Sequence, residues 1–234
     1  MSQHSDHPPT EDTSTRPVQA NAAPADTKAD PEPDAKIDWP NVAIRHGPAV
    51  VAFGLITVFG LVADLWSKHA VFEALLNDPA VEAEVRQRDL PDKITTAETF
   101  KHLRVQQDVL WGGKVRFHLS TNPGVVFGWS MPPIVVSVVS ILTIGLVFLF
   151  FAVGDRRAWS MHIGLACIMA GALGNLYDRL FGAVHVPGFE APITNQVRDF
   201  IDLSGIQVWG FSYDYIFNIA DVLLVIGVLL LIVN

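Results

Sequence analysis

Four long apolar stretches, separated by polar segments, constrain the fold of this chain more than any other feature. Each stretch is about 20 residues long, and a helix of that length spans the roughly 30 Å hydrocarbon core of a bilayer. Charged residues make up only 17% of the chain and lie mostly outside these stretches. The sequence therefore predicts an all-α membrane protein with four transmembrane helices. The predicted spans are residues 47–66, 132–153, 159–177 and 215–233.

The charge of the shortest loop predicts the orientation of the helices, because cytoplasmic loops carry an excess of Lys and Arg. The loop between the second and third spans contains Arg156 and Arg157 side by side. We therefore expect this loop and both termini in the cytoplasm. The segment between the first two spans carries eight bases, but at about 65 residues it reaches the length where the charge rule loses force.

The N-terminal segment differs in composition from the rest of the chain. Residues 1–40 contain seven of the fifteen prolines and few large apolar side chains. Such a segment cannot bury enough apolar surface to offset its ordering entropy. We expect a disordered cytoplasmic tail over residues 1–45, and one membrane domain over residues 46–234. No apolar stretch occurs before about residue 47, so no signal peptide is expected here.

The two segments outside the membrane carry different patterns. Residues 69–104 are polar and helix-favouring, whereas residues 114–119 alternate charged and apolar side chains. That alternation predicts a strand on the membrane surface, hence a small extracytoplasmic β-platform between the first two helices. The sequence Asn122-Pro123-Gly124 then predicts a turn.

Small residues recur at a spacing of four along the third span. Ala166, Ala170 and Gly174 form this stripe, which allows another helix to approach closely. Packing accounts for the stripe without a ligand.

Ionisable side chains near the spans are costly, so each needs a partner or a function. Asp64 and Lys68 are four residues apart at the end of the first span and share a helix face. The interpretation favoured by spacing is a span-end ion pair with the lysine extending towards water. Direct participation in a site is the alternative.

The end of the third span carries a second polar group. Asn175 and Asp178 lie on one helix face, and Arg179 follows them. Arg179 can hold Asp178 ionised, which favours a supporting pair over a catalytic one.

Three further acids lie in or just before the fourth span. Asp199 and Asp202 have helical spacing in the preceding loop, where a solvated surface acid is at least as well supported as a catalytic one. Asn218 and Asp221 lie inside the span itself. Asp221 is about six residues in, roughly 8–9 Å from the outer end. A functional role is favoured over a structural one for Asp221.

The residue types in this polar group limit the chemistry. There is no Cys–His cluster, and His162 lies near the opposite end of its span, so a metal site is not expected. His185 and Ser204 share a loop but give only a weak signal for a serine nucleophile. Paired carboxylates remain. Two close carboxylates share a proton, so that one can activate water while the other protonates a carbonyl oxygen, as in aspartic peptidases.

Five stretches together resemble the lipoprotein signal peptidases, also called signal peptidase II. They occur in the order of that family on one hydropathy profile, and the resemblance covers roughly residues 45–234. The stretches are ADLWSKHAV (63–71), STNPGVVFGW (120–129), GALGNLYDRL (171–180), VRDFIDL (197–203) and FNIADVLLVIG (217–227).

The resemblance implies an aspartic endopeptidase that removes signal peptides from bacterial prolipoproteins, just before a cysteine that carries a diacylglyceryl group. It implies Asp199 and Asp221 as the catalytic pair, which resolves the choice that spacing left open. The matching supporting positions are Asn122, Gly124, Asn175, Asp178, Arg179, Asn218, Asp64 and Lys68.

The resemblance also implies a setting for the enzyme. We expect a multi-pass protein of the bacterial inner membrane, with the site near the outer leaflet and no metal or organic cofactor. Lipidated prolipoproteins and membrane lipids are the expected partners. No basic patch suggests nucleic-acid binding, and a monomer is expected.

The chain departs from the family pattern at three places. Pro123, Val125 and Val126 stand where the family tends to have small or hydroxyl residues and alanines, which alters the expected lining of the substrate groove. The outer segment 69–112 and the loop 180–196 are longer than usual for the family.

Two other functions compete with the peptidase. A small proton-coupled transporter subunit would use acids in the spans as relays, but acids on both membrane faces and an internal repeat are absent from the sequence. A non-enzymatic scaffold would use the acids only to hold helices together.

Overall fold

The computed structural model describes most of the membrane domain. The described residues are 38–80, 83, 106–110, 112–126, 129–187, 191–208, 211–212 and 215–233. Residues 1–37, which make up most of the predicted tail, lie outside the described residues. So does most of the predicted polar helical segment after residue 80.

Four apolar helices form the bundle, as predicted. They are α1 (Gly47–Leu76), α2 (Pro133–Val153), α3 (Trp159–Phe181) and α4 (Ile219–Ile232). The first three are long and apolar enough to cross a membrane, whereas α4 has only 14 residues. The helix is shorter than the predicted fourth span, because the first residues of that span form a short strand and a helix cap instead.

Helix α3 is the centre of the bundle, because it packs against each of the other three helices. The predicted stripe of small residues forms the contact with α1: Ala166 and Ala170 have no exposed surface, and Gly60 of α1 lies against Ala170. Two other small residues form the contact with α4. Gly164 lies against the backbone of Gly227, and Gly171 lies against the backbone of Ala220.

The end of the bundle that contains the α2–α3 loop is closed by the segment before α1. Two short 3₁₀ helices, Trp39–Asn41 and Ala43–Arg45, lie in this segment. The Ala43 amide donates a hydrogen bond of 2.7 Å to the Gly154 carbonyl, and Val42 forms a β-bridge with Asp155. The ordered domain therefore begins by residue 38, earlier than the predicted boundary at 46.

The described part of the chain contains ten strands outside the helices. They are β1 (Gln106–Leu110), β2 (Val115–Asn122), β3 (Val125–Val126), β4 (Trp129–Ser130), β5 (Ala183–Val184), β6 (Ile193–Thr194), β7 (Val197–Asp202), β8 (Gln207–Val208), β9 (Phe211–Ser212) and β10 (Ile216–Phe217). The main sheet is antiparallel with the order β1-β2-β7-β10.

This sheet is the predicted β-platform, but it takes strands from both outer segments. Strands β1 and β2 lie between α1 and α2, whereas β7 and β10 lie between α3 and α4. The expected loop with helical spacing at Asp199 and Asp202 is wrong, because both residues belong to strand β7. Residues three apart in a strand point to opposite faces, so the two aspartates are separated by the sheet.

A β-bulge in β2 decides which side chains share the face of Asp199. Phe117 pairs with Ile201 and Ser120 pairs with Asp199, so two β2 residues oppose one residue of β7 between these pairs. The extra residue reverses the alternation of β2. Phe117 and Ser120 therefore lie on the same face as Asp199, and so does Asn122, which pairs with Val197.

An apolar cluster attaches the sheet to the bundle. The last turns of α1 contribute Val71, Phe72 and Leu75, which pack with Leu119 and Phe200 of the sheet. All five side chains are buried. The helix thus extends past the predicted span to support the platform that carries Asp199.

The close crossing of α3 and α4 makes Gly171 sensitive to added volume. A methyl group at this position would meet the Ala220 carbonyl oxygen and the Leu224 side chain. We expect Gly171→Ala to destabilise the protein by about 1–3 kcal/mol, measured as a lower thermal midpoint in detergent. The matched control is Gly54→Ala in α1, where nothing lies within 4 Å of the added atom. Equal midpoints for the two variants would contradict this crossing.

Candidate active site

The ammonium of Lys68 lies at the base of the polar site. Its Nζ donates to Asp64 Oδ2 at 2.7 Å and to Asn175 Oδ1 at 3.0 Å, and it lies 3.2 Å from Asp178 Oδ2. Lys68, Asp64 and Asp178 have no exposed surface. The predicted Asp64–Lys68 pair is confirmed, but the lysine does not extend towards water. It is buried because two hydrogen-bond acceptors and a further carboxylate, that of Asp178, surround its ammonium.

Asp64 links α1 to the start of α4. Its Oδ2 accepts from Lys68, and its Oδ1 accepts a 2.8 Å hydrogen bond from the Ala220 amide. The first amides of a helix have no partner within the helix. A carboxylate here satisfies one of them, and the positive end of the helix dipole stabilises its charge.

Asp178 has a partner that sequence reasoning did not find. Arg198 donates to Asp178 Oδ1 from Nε at 3.0 Å and from Nη2 at 2.6 Å, and its amide donates to Oδ2 at 3.0 Å. The predicted pairing of Asp178 with Arg179 is therefore wrong: Lys68 and Arg198 hold Asp178. A basic residue next to an acid in VRDFIDL was the available signal, but its partner lies 20 residues away on α3.

Arg179 follows Asp178 on α3. Its Nη1 donates to the Asn175 carbonyl at 3.3 Å, and its charge acts on Asp199 and Asp221. The buried Nε has no hydrogen-bond partner. Arg179 thus supplies positive charge to the two acids.

Asp221 is held in the first turn of α4 by a capping box. The Asn218 side chain accepts from the Asp221 amide at 3.1 Å, and Asp221 Oδ2 accepts from the Asn218 amide at 3.1 Å. Asp221 Oδ1 accepts from Asn175 Nδ2 at 2.9 Å. As the third residue of α4, Asp221 lies nearer the helix end than the predicted six residues, because the helix begins at Ile219.

Asp199 approaches Asp221 from the sheet. Asn218 Nδ2 donates to Asp199 Oδ1 at 2.6 Å and also to the Arg198 carbonyl at 3.3 Å. Asp199 is 5% exposed. Burial, together with the negative charge of Asp221, raises the pKa of Asp199 to about 8, against a lowering by the Asn218 hydrogen bond and by Lys68. The Asp199 carboxyl is therefore neutral at pH 7.

The two asparagines connect the acids. Asn218 contacts both Asp199 and Asp221, while Asn175 accepts from Asn218 at 3.2 Å and donates to Asp221. A neutral buried acid and a half-exposed acid thus share one hydrogen-bond network with Lys68 at its end. Such a network can hold one proton between two carboxyl groups of different environment.

Asp202 belongs to a separate polar group on the opposite face of β7. It pairs with Arg116 at 2.9 Å and accepts from the Ser204 amide at 2.8 Å, and His118 lies 3.8 Å away. Burial alone would raise the pKa of Asp202, but the Ser204 hydrogen bonds and the charges of Arg116 and His118 lower it. Asp202 is a structural ion-pair partner.

Asn122 and Gly124 form the predicted turn at the end of β2. The Gly124 amide donates to Asn122 Oδ1 at 2.9 Å, and Gly124 has φ +109°, a conformation that favours glycine. The register places Asn122 on the Asp199 face.

Two apolar cavities border the site. One, of about 280 Å³, is lined by Asp221 itself together with Leu203, Phe217, Val222, Val225 and Ile226. The other, of about 430 Å³, lies between the end of α1 and the sheet; its lining includes Trp66, Phe117 and Ile201. The smaller cavity can receive apolar groups next to Asp221.

A pair of acids at the end of a bundle of apolar helices is the arrangement that a membrane-embedded aspartic peptidase requires. The sequence profile of the family described as signal peptidase (SPase) II matches residues 56–234, and the chain belongs to that family. The family removes signal peptides from prolipoproteins, which makes this protein an aspartic peptidase of bacterial membranes.

Individual relatives agree with this assignment. The lipoprotein signal peptidase of Rhodopirellula baltica is 34% identical over 187 residues, covering 78% of this chain and 70% of the relative. That of Desulfitobacterium hafniense is 35% identical over 125 residues, covering 50% of this chain and 67% of the relative.

A solved structure shows the same fold. A bacterial membrane enzyme determined by the in meso method at 2.3 Å resolution superposes with a TM-score of 0.52 and 22% identity, covering 82% of this chain and 90% of that chain. The predicted fold, four apolar helices with a small antiparallel sheet, is confirmed.

Removal of the Lys68 charge should expose how strongly the site depends on it. Lys68→Met leaves Asp64 and Asp178 buried with one cation fewer, at a cost of about 3–5 kcal/mol. We expect a clearly lower thermal midpoint in detergent. Lys114→Met, at an exposed lysine, is the control and should leave the midpoint unchanged. Equal midpoints for both variants would argue against a stabilising buried ammonium.

The raised pKa of Asp199 predicts how stability depends on pH. The folded protein keeps the Asp199 proton up to about pH 8, whereas the unfolded chain loses it near its ordinary value of 3.8. Stability that is present below the unfolded pKa is therefore lost as the pH rises towards 8. Asp199→Asn stays neutral, so its thermal midpoint should match that of the wild type near pH 4 and exceed it by a few degrees at pH 8.

Asp202→Asn is the control for this measurement, and its sign is opposite. The pKa of Asp202 is lowered, so its ionised form stabilises the fold above the unfolded pKa. This variant should be less stable than the wild type at pH 7, with the difference shrinking as the pH falls. A constant offset for Asp199→Asn at every pH would contradict the neutral buried carboxyl.

Proposed function

We propose that this peptidase cleaves the signal peptide just before the diacylglyceryl-modified cysteine, and that Asp199 and Asp221 activate the attacking water. The observation that carries the proposal is the shared network: Asn218 holds a neutral, buried Asp199 and the half-exposed Asp221 at the same time. Two carboxyl groups in different environments are the requirement for acid and base roles in one site.

Asp221 takes the role of base in this mechanism. Both its oxygens accept N–H groups, from Asn175 and from the Asn218 backbone, which suits a carboxylate. It accepts a proton from a water molecule as the water attacks the scissile carbonyl carbon. Asp199 donates its proton to the carbonyl oxygen. Collapse of the tetrahedral intermediate then breaks the C–N bond: one hydroxyl of the intermediate returns its proton to Asp199, and the proton taken up by Asp221 passes to the leaving amine.

The supporting residues keep this division of roles. Asn175 and Asn218 orient the two acids, while Lys68 balances the nearby Asp64 and Asp178. Arg179 places a positive charge near Asp199 and Asp221, where negative charge develops on the carbonyl oxygen. Asn122 and Gly124 shape the turn at the edge of the same sheet face.

The surroundings of Asp221 support a lipid-linked substrate. The cavity beside it contains Val225 and Ile226, which are 58% and 43% exposed on the outer surface of α4. Helix surface of this kind faces acyl chains in a bilayer. A diacylglyceryl group can therefore remain in the membrane while its cysteine reaches the acids. We propose that the site lies near the outer leaflet, with both termini in the cytoplasm and a monomeric enzyme.

The test is cleavage of a diacylglyceryl-modified prolipoprotein peptide by purified protein in detergent, with the products identified by mass. We expect one cut before the lipidated cysteine for the wild type, and a loss of at least about 10³-fold for Asp199→Asn and Asp221→Asn. Asp202→Asn is the matched control, because it neutralises an acid of the same strand on the opposite face. It should retain cleavage when assayed below its thermal midpoint.

One outcome would contradict the mechanism and another would contradict the substrate. Wild-type rates in either Asp199→Asn or Asp221→Asn would refute the two-acid mechanism. A folded wild type that cleaves an unlipidated peptide equally well would refute the substrate assignment.

A further inference from the structure

Arg198 makes an unusually complete contact with a single carboxylate. Its guanidinium donates twice to Asp178 Oδ1, at 3.0 and 2.6 Å, and its own amide donates to Oδ2 at 3.0 Å. Asp178 is fully buried and Arg198 is mostly buried, with side-chain exposures of 0% and 12%. Side chain and backbone of one residue are thus attached to one point on α3, immediately before Asp199 in the chain.

This attachment determines where Asp199 lies. The Arg198 carbonyl accepts from Asn218 Nδ2 at 3.3 Å, and the same Nδ2 donates to Asp199 Oδ1 at 2.6 Å. Arg198 is therefore held through its amide by Asp178 of α3 and through its carbonyl by Asn218 at the start of α4. Rotation of this part of β7 would move the Asp199 carboxyl away from Asn218.

The charges around the two acids come from every element that packs against them. The charged and titratable groups are Asp64 and Lys68 on α1, Asp178 and Arg179 on α3, Arg198 and Asp199 on β7, and Asp221 on α4. The charged β2 residues Arg116 and His118 contact Asp202 on the opposite face of the sheet. With Asp199 neutral, three acids face three bases, so the group is balanced only if Arg198 is present.

We propose that Arg198 is a positioning residue for the reaction. It attaches the backbone immediately before Asp199 to α3, and it neutralises Asp178, so that Asp178 does not disturb the proton held between Asp199 and Asp221. The proposal rests on the two-acid mechanism above. Arg198 contacts neither acid through its guanidinium and acts through Asp178.

The direction of the effect follows from the charges. The negative charge of Asp178 raises the pKa of Asp199. Loss of the Arg198 charge leaves Asp178 compensated only by Lys68, so the proton on Asp199 is held more tightly. In a plot of the cleavage rate against pH, the alkaline limb is the range in which the rate falls as Asp199 loses its proton. This limb then moves to higher pH. Loss of the Asp178 charge moves the limb to lower pH.

The experiment measures kcat and KM for the diacylglyceryl-modified peptide between pH 5 and 10 for Arg198→Met, Arg198→Lys, Asp178→Asn and the double variant Arg198→Met/Asp178→Asn. We expect the alkaline limb of kcat to rise by about one pH unit in Arg198→Met, as for the loss of a partner charge. It should fall in Asp178→Asn, and return to within about 0.3 units of wild type in the double variant. Arg198→Lys keeps the positive charge but loses the paired hydrogen bonds of the guanidinium, so kcat should drop while the alkaline limb stays in place.

Arg116→Met is the matched control, because Arg116 forms a similar pair with Asp202 on the other face of β7. It should lower the thermal midpoint and leave the alkaline limb in place. The same unmoved limb in Arg198→Met, together with a normal limb in Asp178→Asn, would overturn the proposal and leave Arg198 as a structural pair. If Arg198→Met does not fold, the other two variants decide the question: the limb should fall in Asp178→Asn and stay near its wild-type position in the double variant, and equal limbs in these two variants would overturn the proposal.

Different results would refute the two-acid mechanism and the role of Arg198. Wild-type cleavage by Asp199→Asn or Asp221→Asn would remove the mechanism on which the role of Arg198 depends. Loss of cleavage in both, with an unmoved limb in Arg198→Met, would refute only the role of Arg198.

Discussion

A lysine ammonium without exposed surface, that of Lys68, lies between α1 and α3 and meets three oxygen atoms. A charge in such a place is stable only when its whole hydrogen-bonding capacity is used. Asp64, Asn175 and Asp178 therefore have to converge on one point. Because Asp64 also accepts from the first turn of α4, this one ammonium sets the relative positions of three helices at the end of the bundle where the two acids lie.

The difference between the two acids follows from where the chain places them. Asp221 lies in the first turn of an apolar helix, half-exposed beside a cavity, whereas Asp199 lies in a strand and is buried. Asn218 reaches both because it caps the helix with its side-chain oxygen and donates to the strand with its nitrogen. One asparagine therefore connects an acid of a helix with an acid of a sheet.

The sheet owes its position to contacts that are remote in sequence. Strand β7 pairs with β2, and the bulge in β2 brings Phe117, Ser120 and Asn122 onto the face of Asp199. An apolar cluster on the extension of α1 supports the sheet from the side. Arg198 then attaches β7 to α3. Only with all three contacts in place does Asp199 face Asn218.

Hydropathy and spacing within single elements were enough to predict the four apolar helices, the Asp64–Lys68 pair, the small-residue stripe on α3 and the turn at Asn122. The five motifs also identified the family. Only the folded chain shows the strand at VRDFIDL, the Arg198–Asp178 pair, the separation of Asp199 from Asp202 and the late start of α4. These features depend on pairing and charge compensation between segments far apart in the chain, and no local pattern records which distant residue will be the partner.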